Sequence, residues 1–180
     1  MTRTLVLAIR LIALGGIAVN AAPASAEAFV TVGATGARIE ANIANVPERY
    51  ENTESGLHLG FGVRRSLERG DFGVRVELDD LDDSFLAVRA IDYRFHVSER
   101  LAVGAFFGAA KLDLATPAYG YYLGAGVHFR RLLEKFELGI EYRYGDDVAR
   151  DVLLPSDPQG PQPDSFYDVS AFSISLSYRF

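Results

Sequence analysis

The sequence predicts an all-β fold, an eight-stranded antiparallel up-and-down transmembrane β-barrel, and three observations predict it. First, Phe172 to Phe180 alternates without exception: Phe172, Ile174, Leu176, Tyr178 and Phe180 share one face, and Ser173, Ser175, Ser177 and Arg179 share the other. That repeat of two is a strand with one face in an apolar medium and one in a polar medium. Second, seven further segments carry the same repeat. Third, no segment beyond residue 26 is long and apolar enough to form a spanning helix. A chain in lipid must pair its own backbone groups, so a closed barrel is the remaining spanning option.

Taken in order, residues 1–26 read as a secretory signal peptide. Arg3 and Arg10 supply positive charge, Leu11 to Val19 is a short apolar core, and Ala24-Ser25-Ala26 is an A-x-A cleavage site. The apolar run falls short of the roughly 20 residues of a spanning helix. The expected mature chain is a single barrel domain, residues 27–180. Loss of the two arginines takes the net charge of −6 two units further negative. An acidic exported chain argues against nucleic-acid partners, which need basic patches. With no cysteine there is no disulfide framework and no thiolate metal site.

The first strand is read over Ala28–Ala37, with Val30, Val32 and Ala34 on one face. In the second, Gly56–Arg65, Leu57, Leu59, Phe61 and Val63 alternate with His58, Gly60, Gly62 and Arg64. In the third, Phe72–Asp79, Phe72, Val74, Val76 and Leu78 oppose Gly73, Arg75 and Glu77. The fourth, Phe85–Val97, sets Ile91, Tyr93 and Phe95 against Asp92 and Arg94. The fifth, Leu101–Lys111, sets Leu101, Val103, Ala105 and Phe107 against Gly104, Phe106 and Gly108. The sixth, Tyr119–Arg130, sets Tyr121, Leu123, Ala125, Val127 and Phe129 against Tyr122, Gly124, Gly126 and His128. The seventh, Phe136–Tyr144, sets Phe136, Leu138, Ile140, Tyr142 and Tyr144 against Glu137, Gly139, Glu141 and Arg143. The eighth runs from about Asp168 to Phe180. These lengths suit tilted strands of about 9–11 residues crossing a bilayer.

Connections alternate too. Residues 66–71, 98–100 and 131–135 are short and polar, whereas 38–55, 80–84, 112–118 and 145–167 are longer on average or richer in acid and proline. Short turns belong to the periplasm and long loops to the exterior, which puts both termini inside. The last loop, rich in aspartate and carrying Pro155, Pro158, Pro161 and Pro163, is expected to be mobile.

With its signal peptide, eight alternating strands, alternating loop lengths and terminal Tyr178-Arg179-Phe180, the whole mature chain resembles the small eight-stranded outer-membrane barrels of the OmpA-transmembrane, OmpX/Ail and opacity-porin type. The resemblance implies residence in a Gram-negative outer membrane, with lipid and lipopolysaccharide as neighbours. It also implies that Tyr178 and Phe180 are the assembly signal read by the barrel-assembly machinery. Members of that family serve as adhesins, serum-resistance factors, envelope braces, narrow channels and lipid-modifying enzymes, so the resemblance leaves function open.

An eight-stranded barrel has an interior just wide enough for side chains. Inward glycines leave space for the inward Arg64, Arg75, Glu77, Asp92, Arg94, His128, Glu137, Glu141 and Arg143. A tight third turn would place Arg75 opposite Asp92, and His128 opposite Glu137 by the same logic. An unpaired buried charge is costly, so this network is expected to pair and fill the lumen; a narrow polar channel is the alternative. Two aromatic girdles are expected: Phe61, Phe72, Tyr93, Phe95, Phe129, Phe136, Tyr178 and Phe180 at the periplasmic side, and Tyr119, Tyr121, Tyr142 and Tyr144 outside.

Arg89 breaks the pattern by sharing the outward parity of Ile91, Tyr93 and Phe95. With Lys111 it would offer two cations to lipopolysaccharide phosphates. The favoured alternatives are solvated rim charges, or a β-bulge that turns Arg89 inward. For chemistry, His96-Val97-Ser98 with Glu99 matches the His-x-Ser pair of some lipid A deacylases of this barrel size, but it falls in a short periplasmic turn, away from outer-leaflet substrate. Asp82-Asp83-Ser84 lacks a nearby histidine, since His58 points inward. Asp79, Asp80, Asp82 and Asp83 could ligate a divalent cation, but they lack ordered loop spacing and read as a solvated acidic loop. No P-loop, dinucleotide fingerprint or zinc spacing is present. The expected function is non-enzymatic, with no catalytic residue, metal or cofactor: an integral barrel that stabilises the envelope or meets an extracellular ligand through acidic loops. A deacylase-like enzyme, a narrow channel and an adhesin are the alternatives.

Overall fold

Alternation carries the chain through eight strands: β1 Ala26–Ile43, β2 Arg49–Leu67, β3 Gly70–Asp80, β4 Phe85–His96, β5 Leu101–Leu112, β6 Gly120–Phe129, β7 Phe136–Asp151 and β8 Ser165–Arg179. The computed structural model describes residues 26–43, 49–114, 118–151 and 165–180. The expected signal peptide, apart from Ala26, lies outside the described residues, as does most of the proline-rich last loop. Each strand pairs antiparallel with the next, and β8 returns to β1 from Phe29↔Arg179 to Ile43↔Ser165, closing the barrel. The fold class is the one the sequence predicts. Closure leaves no sheet edge around the wall, which is the condition for a β-structure to sit in hydrocarbon.

The outward face forms an apolar belt. Val32, Leu57, Ile91, Val103, Phe107, Leu123, Phe172, Ile174 and Leu176 are all exposed, as a lipid-facing surface requires. At the end holding both termini lie Phe72, Tyr93, Phe95, Phe129 and Phe180; at the opposite end lie Tyr119, Tyr121 and Tyr142. Tyr178 packs between Phe136 and Phe180, with ring centroids 5.1 and 5.4 Å away.

Two expectations about elements are corrected. Four strands run further than predicted: β1, β2, β7 and β8 extend into the stretches read as loops 38–55 and 145–167. There Arg38↔Thr53, Glu40↔Glu51 and Asn42↔Arg49 continue the β1–β2 ladder. These residues stand beyond the belt, where backbone pairing needs no apolar face. The lipid-type alternation that marks a spanning strand is therefore missing from them.

The second correction concerns β4. Arg89 pairs with Gly108 and Ile91 with Phe107 on one side, while Arg89 and Asp92 face Arg75 and Gly73 on the other. One extra residue is accommodated, so Ala90 and Ile91 both face outward. Parity inverts across this bulge: Phe85, Ala87 and Arg89 point into the barrel on one side of it, Asp92 and Arg94 on the other. A second irregularity on β7, between Gly145 and Ala149, holds Asp147 at φ 53° and turns Val148 and Ala149 inward.

The inward side chains form two layers. Toward the loop end, Ile39, Leu81, Phe85, Phe106, Leu112, Tyr122, Val148 and Val169 close a buried apolar cluster with several alanines. Toward the turn end the lumen is polar and charged. Glycine makes room for the rings: a Cβ at Gly124 would fall 2.4 Å from Phe106, and one at Gly62 would fall 2.7 Å from Phe29.

Deleting Ala90 alone would leave Phe85, Ala87 and Arg89 facing inward, whereas deleting Ala90 and Ile91 together would set Arg89 directly beside the inward Asp92 and send all three to the lipid face. A lipid-facing midplane arginine alone costs about 2–4 kcal/mol. The double deletion is expected to abolish assembly, read as loss of the compact heat-modifiable band on an unheated detergent gel, and the single deletion to keep that band.

Candidate functional site

The polar lumen is built from strands on all sides. Among the described residues, five arginines (Arg64, Arg75, Arg89, Arg94 and Arg143) and six acids (Asp71, Glu77, Asp79, Asp92, Glu137 and Glu141) are buried there. With the partly exposed Arg179, which bonds both Asp71 and Glu137, the set is neutral when His58 and His128 are uncharged. In a medium that cannot solvate ions, this balance is the arrangement that leaves no charge uncompensated.

Arg89 is the hub. It is fully buried and donates from Nε to Glu77 Oε2 at 2.8 Å, and from Nη1 and Nη2 to Glu141 at 3.0 and 2.7 Å. Two parallel bonds to one carboxylate match the guanidinium fork. Its plane lies over the Phe106 ring at 3.5 Å, so it also joins the charged layer to the apolar one. Tyr122 donates to Glu77 at 2.7 Å. The expectation that Arg89 meets lipopolysaccharide is therefore wrong: the bulge turns it inward. Lys111 stays at the rim, 3.6 Å from Asp113.

Around this hub, Arg75 reaches Asp92 at 3.0 Å, Glu77 at 3.1 Å and Glu141 at 3.3 Å. The expected register was wrong, since Arg75 lies opposite Arg89 and Asp92 opposite Gly73; side-chain length bridges the offset. His128 likewise pairs with Gly139 rather than Glu137, and it sits 3.6 Å from Glu137 and 3.5 Å from Glu141. Arg94 bonds Glu137, and Arg64 lies 3.5 Å from Asp92. Arg143 meets Asp79 at 2.9 Å and Thr35 at 2.6 Å. Asp79, read as part of an acidic loop, is thus a lumen residue, and it also holds His58 at 2.7 Å.

At the turn end, Asp71 collects Ser66 (2.9 Å), His96 (3.0 Å) and Arg179 (3.4 Å). Arg179 also donates to Glu137 at 3.1 Å, tying the last strand to the lumen. This cluster escaped the sequence reading because its members come from four strand ends with no shared spacing. Ser98 accepts the backbone N–H groups of Leu101 at 3.1 Å and Arg100 at 3.3 Å. His96 is committed to Asp71 and Ser98 to the turn, an arrangement unlike a base poised on its nucleophile. Among the described residues, no group of histidines and acids is placed to hold a metal ion; Asp82 uses its backbone N–H to meet Glu54 at 3.1 Å.

No family model matches the chain, and no curated relative does. Solved structures do. Ail, the attachment invasion locus protein of Yersinia pestis, superposes with a TM-score of 0.51 at 16% identity, over 87% of this chain and 99% of that one. The chain has the fold of the small eight-stranded outer-membrane β-barrels. A second structure of Ail, in complex with the heparin analogue sucrose octasulfate, matches with the same TM-score at 14% identity, over 87% of this chain and 99% of that one. Neisserial surface protein A matches at 14% identity with a TM-score of 0.48, over 84% and 97% of the two chains.

Within this barrel fold, truncating the hub tests the network. Arg89→Leu leaves Glu77 and Glu141 without their main counter-charge and is expected to cost about 3–5 kcal/mol, measured by urea unfolding in lipid vesicles. Arg89→Leu with Glu141→Leu is expected to cost less than the two single changes summed, because the residues share one interaction.

Proposed function

We propose that this protein is a sealed, non-enzymatic outer-membrane barrel that braces the envelope and meets its surroundings through an acidic rim. The observation that carries the reading is the doubly filled lumen. A solute would have to cross the apolar layer of Phe85, Phe106 and Tyr122 and then the interlocked charges around Arg89. The commitment of His96 to Asp71 and of Ser98 to its turn favours this reading over a deacylase.

The loop end carries the surface role. Asp80, Asp82, Asp113 and Asp147 are exposed there, with Glu51 and the partly exposed Asp83 and Asp168. Arg38, beside Glu40 and Glu51, is neutralised locally. Ail has been captured with a sulfated saccharide analogue, whereas an acidic rim repels such an anion. The extracellular partner that fits this chain is basic. The remaining partners are outer-membrane lipid, lipopolysaccharide near Lys111, and an assembly machinery that reads Tyr178 and Phe180.

Purified barrel inserted in a planar bilayer is expected to show no conductance above the empty membrane; stable single-channel steps would overturn the sealed reading. Lipid A from cells expressing the wild type or Ser98→Ala is expected to give one mass spectrum. Acylation altered by the wild type alone would establish an enzyme.

A further inference from the structure

At the turn end the lumen opens through a polar cleft of about 210 Å³ beneath the β6–β7 turn, residues 130–135. The three turns at this end differ in charge. Around the β2–β3 turn stand Glu68, Arg69 and Asp71, and the β4–β5 turn carries Glu99 and Arg100. The β6–β7 turn carries three cations, Arg130, Arg131 and Lys135, against one acid, Glu134, and all four line the cleft. The other acids nearby are already engaged. Glu137 is bonded to Arg94 and, at 3.1 Å, to Arg179, and Glu27 lies 3.8 Å from Arg179. Arg130 is 3.8 Å from Asp71, which Ser66, His96 and Arg179 already hold. The Arg130 Nε is buried without a hydrogen-bond partner among the described residues. Arg131 makes no ion pair among the described residues, and the Lys135 ammonium meets the Tyr178 ring, 5.7 Å away. Backbone bonds from Leu132 N–H to Phe136 O and from Arg179 N–H to Lys135 O, both 3.1 Å, fix the stem of the turn. Within it Arg131 and Glu134 both hold a left-handed backbone, at φ 54° and 55°. Strain of that kind in non-glycine residues gathers at ligand sites.

We propose that this cleft binds a phosphate group, and that the phosphate belongs to an anionic phospholipid of the leaflet around the turn end. The donors select the chemistry. Two guanidinium groups and an ammonium without carboxylate partners of their own offer forked and point contacts to phosphate oxygens. The position selects the source. Phe136 lines the cleft, and Lys135 stands over Tyr178, which packs between Phe136 and Phe180 in the aromatic girdle. The cleft therefore borders the headgroup layer, where such girdles lie. Leu132 and Leu133 are exposed at the tip of the same turn, and a bilayer interface covers apolar side chains that water leaves bare. Basic pockets at a membrane surface recognise acidic headgroups.

The test is a titration of the barrel in neutral maltoside micelles with dihexanoylphosphatidylglycerol, dihexanoylphosphatidylcholine and inorganic phosphate. Each is followed by NMR of the backbone amides of Arg130 to Phe136, with Asp113 at the loop end as the reference. Phosphatidylglycerol is expected to saturate the turn shifts at a concentration about five- to tenfold lower than phosphatidylcholine, the preference that excess positive charge at a membrane surface supports. Asp113 is expected not to move. Arg131 and Lys135 are exposed, and Arg131→Gln with Lys135→Gln is expected to weaken phosphatidylglycerol binding by about tenfold or more. Arg69→Gln, on the β2–β3 turn, is expected to change it by less than about twofold. Compact gel mobility confirms that each variant has assembled, and Arg131→Gln alone, with an effect of about threefold, replaces the double change if that variant does not. Turn amides that respond to neither phosphatidylglycerol nor inorganic phosphate overturn the site, as does binding that the double variant retains in full. A response to inorganic phosphate with none to phosphatidylglycerol overturns the lipid source and supports a site for the free ion.

Discussion

Arg89 must reach Glu77 and Glu141, and much of the barrel's irregular geometry follows from getting it there. In an eight-stranded cylinder a guanidinium has two destinations, lipid or lumen, and the bulge that absorbs Ala90 selects the lumen. The same bulge keeps Phe85 and Ala87 inward, where they join Phe106 and Tyr122 in the apolar layer. On the other side of the wall it leaves Ala90 beside Ile91, both facing outward, next to a shallow depression that Val88, Phe107 and Ala109 also line. One local departure from strict alternation thus fills the interior above the charges, supplies the hub of the charges, and shapes the membrane face.

Buried ion pairs are poor sources of net stability, because desolvating each partner offsets most of the attraction. Their value here is in specification. A one-residue slip of any strand would carry its inward charges to lipid and its lipid-facing side chains to the lumen. With five arginines and six acids drawn from β2, β3, β4 and β7, such a slip on any of these strands unpairs several partners at once. Arg179 extends this control to the closing strand. It reaches Glu137 on β7 and Asp71 on β3 from the end of β8, so the β1–β8 seam and the lumen favour the same register.

How much of this was legible depends on whether a residue's neighbours in sequence report its surroundings. Strand positions and lipid-facing residues were legible, because lipid on one side and polar groups on the other impose a repeat of two. The nine inward charges were legible by parity. Arg89 was the informative exception: an arginine amid Ile91, Tyr93 and Phe95 parity costs enough in lipid to signal a bulge. Asp79 was misplaced because it ends a strand beside Asp80, Asp82 and Asp83, and nothing local distinguishes it from them. The apolar layer left a fainter sign, in Phe106 and Tyr122 lying on the glycine-lined face. What parity cannot supply is register, since a diagonal offset of two keeps every side chain on its own face. Arg75 and His128 were for that reason set opposite the wrong residues while still reaching the expected partners.

With side chains filling the lumen, the proposed role falls to the outer surfaces of the cylinder, and these differ around it. On the side of β7, β8, β1 and β2, the strands continue past the belt as a polar ladder. On the side of β3 to β6, the strands stop within a few residues of the outer tyrosines. The tall side gives the rim a stiff platform, since its backbone groups are paired in a sheet and need no lipid to order them. The low side leaves the wall open to the leaflet at the height of Tyr121, where the depression lies. The charges that fill the interior are what hold both surfaces in a fixed relation to the bilayer.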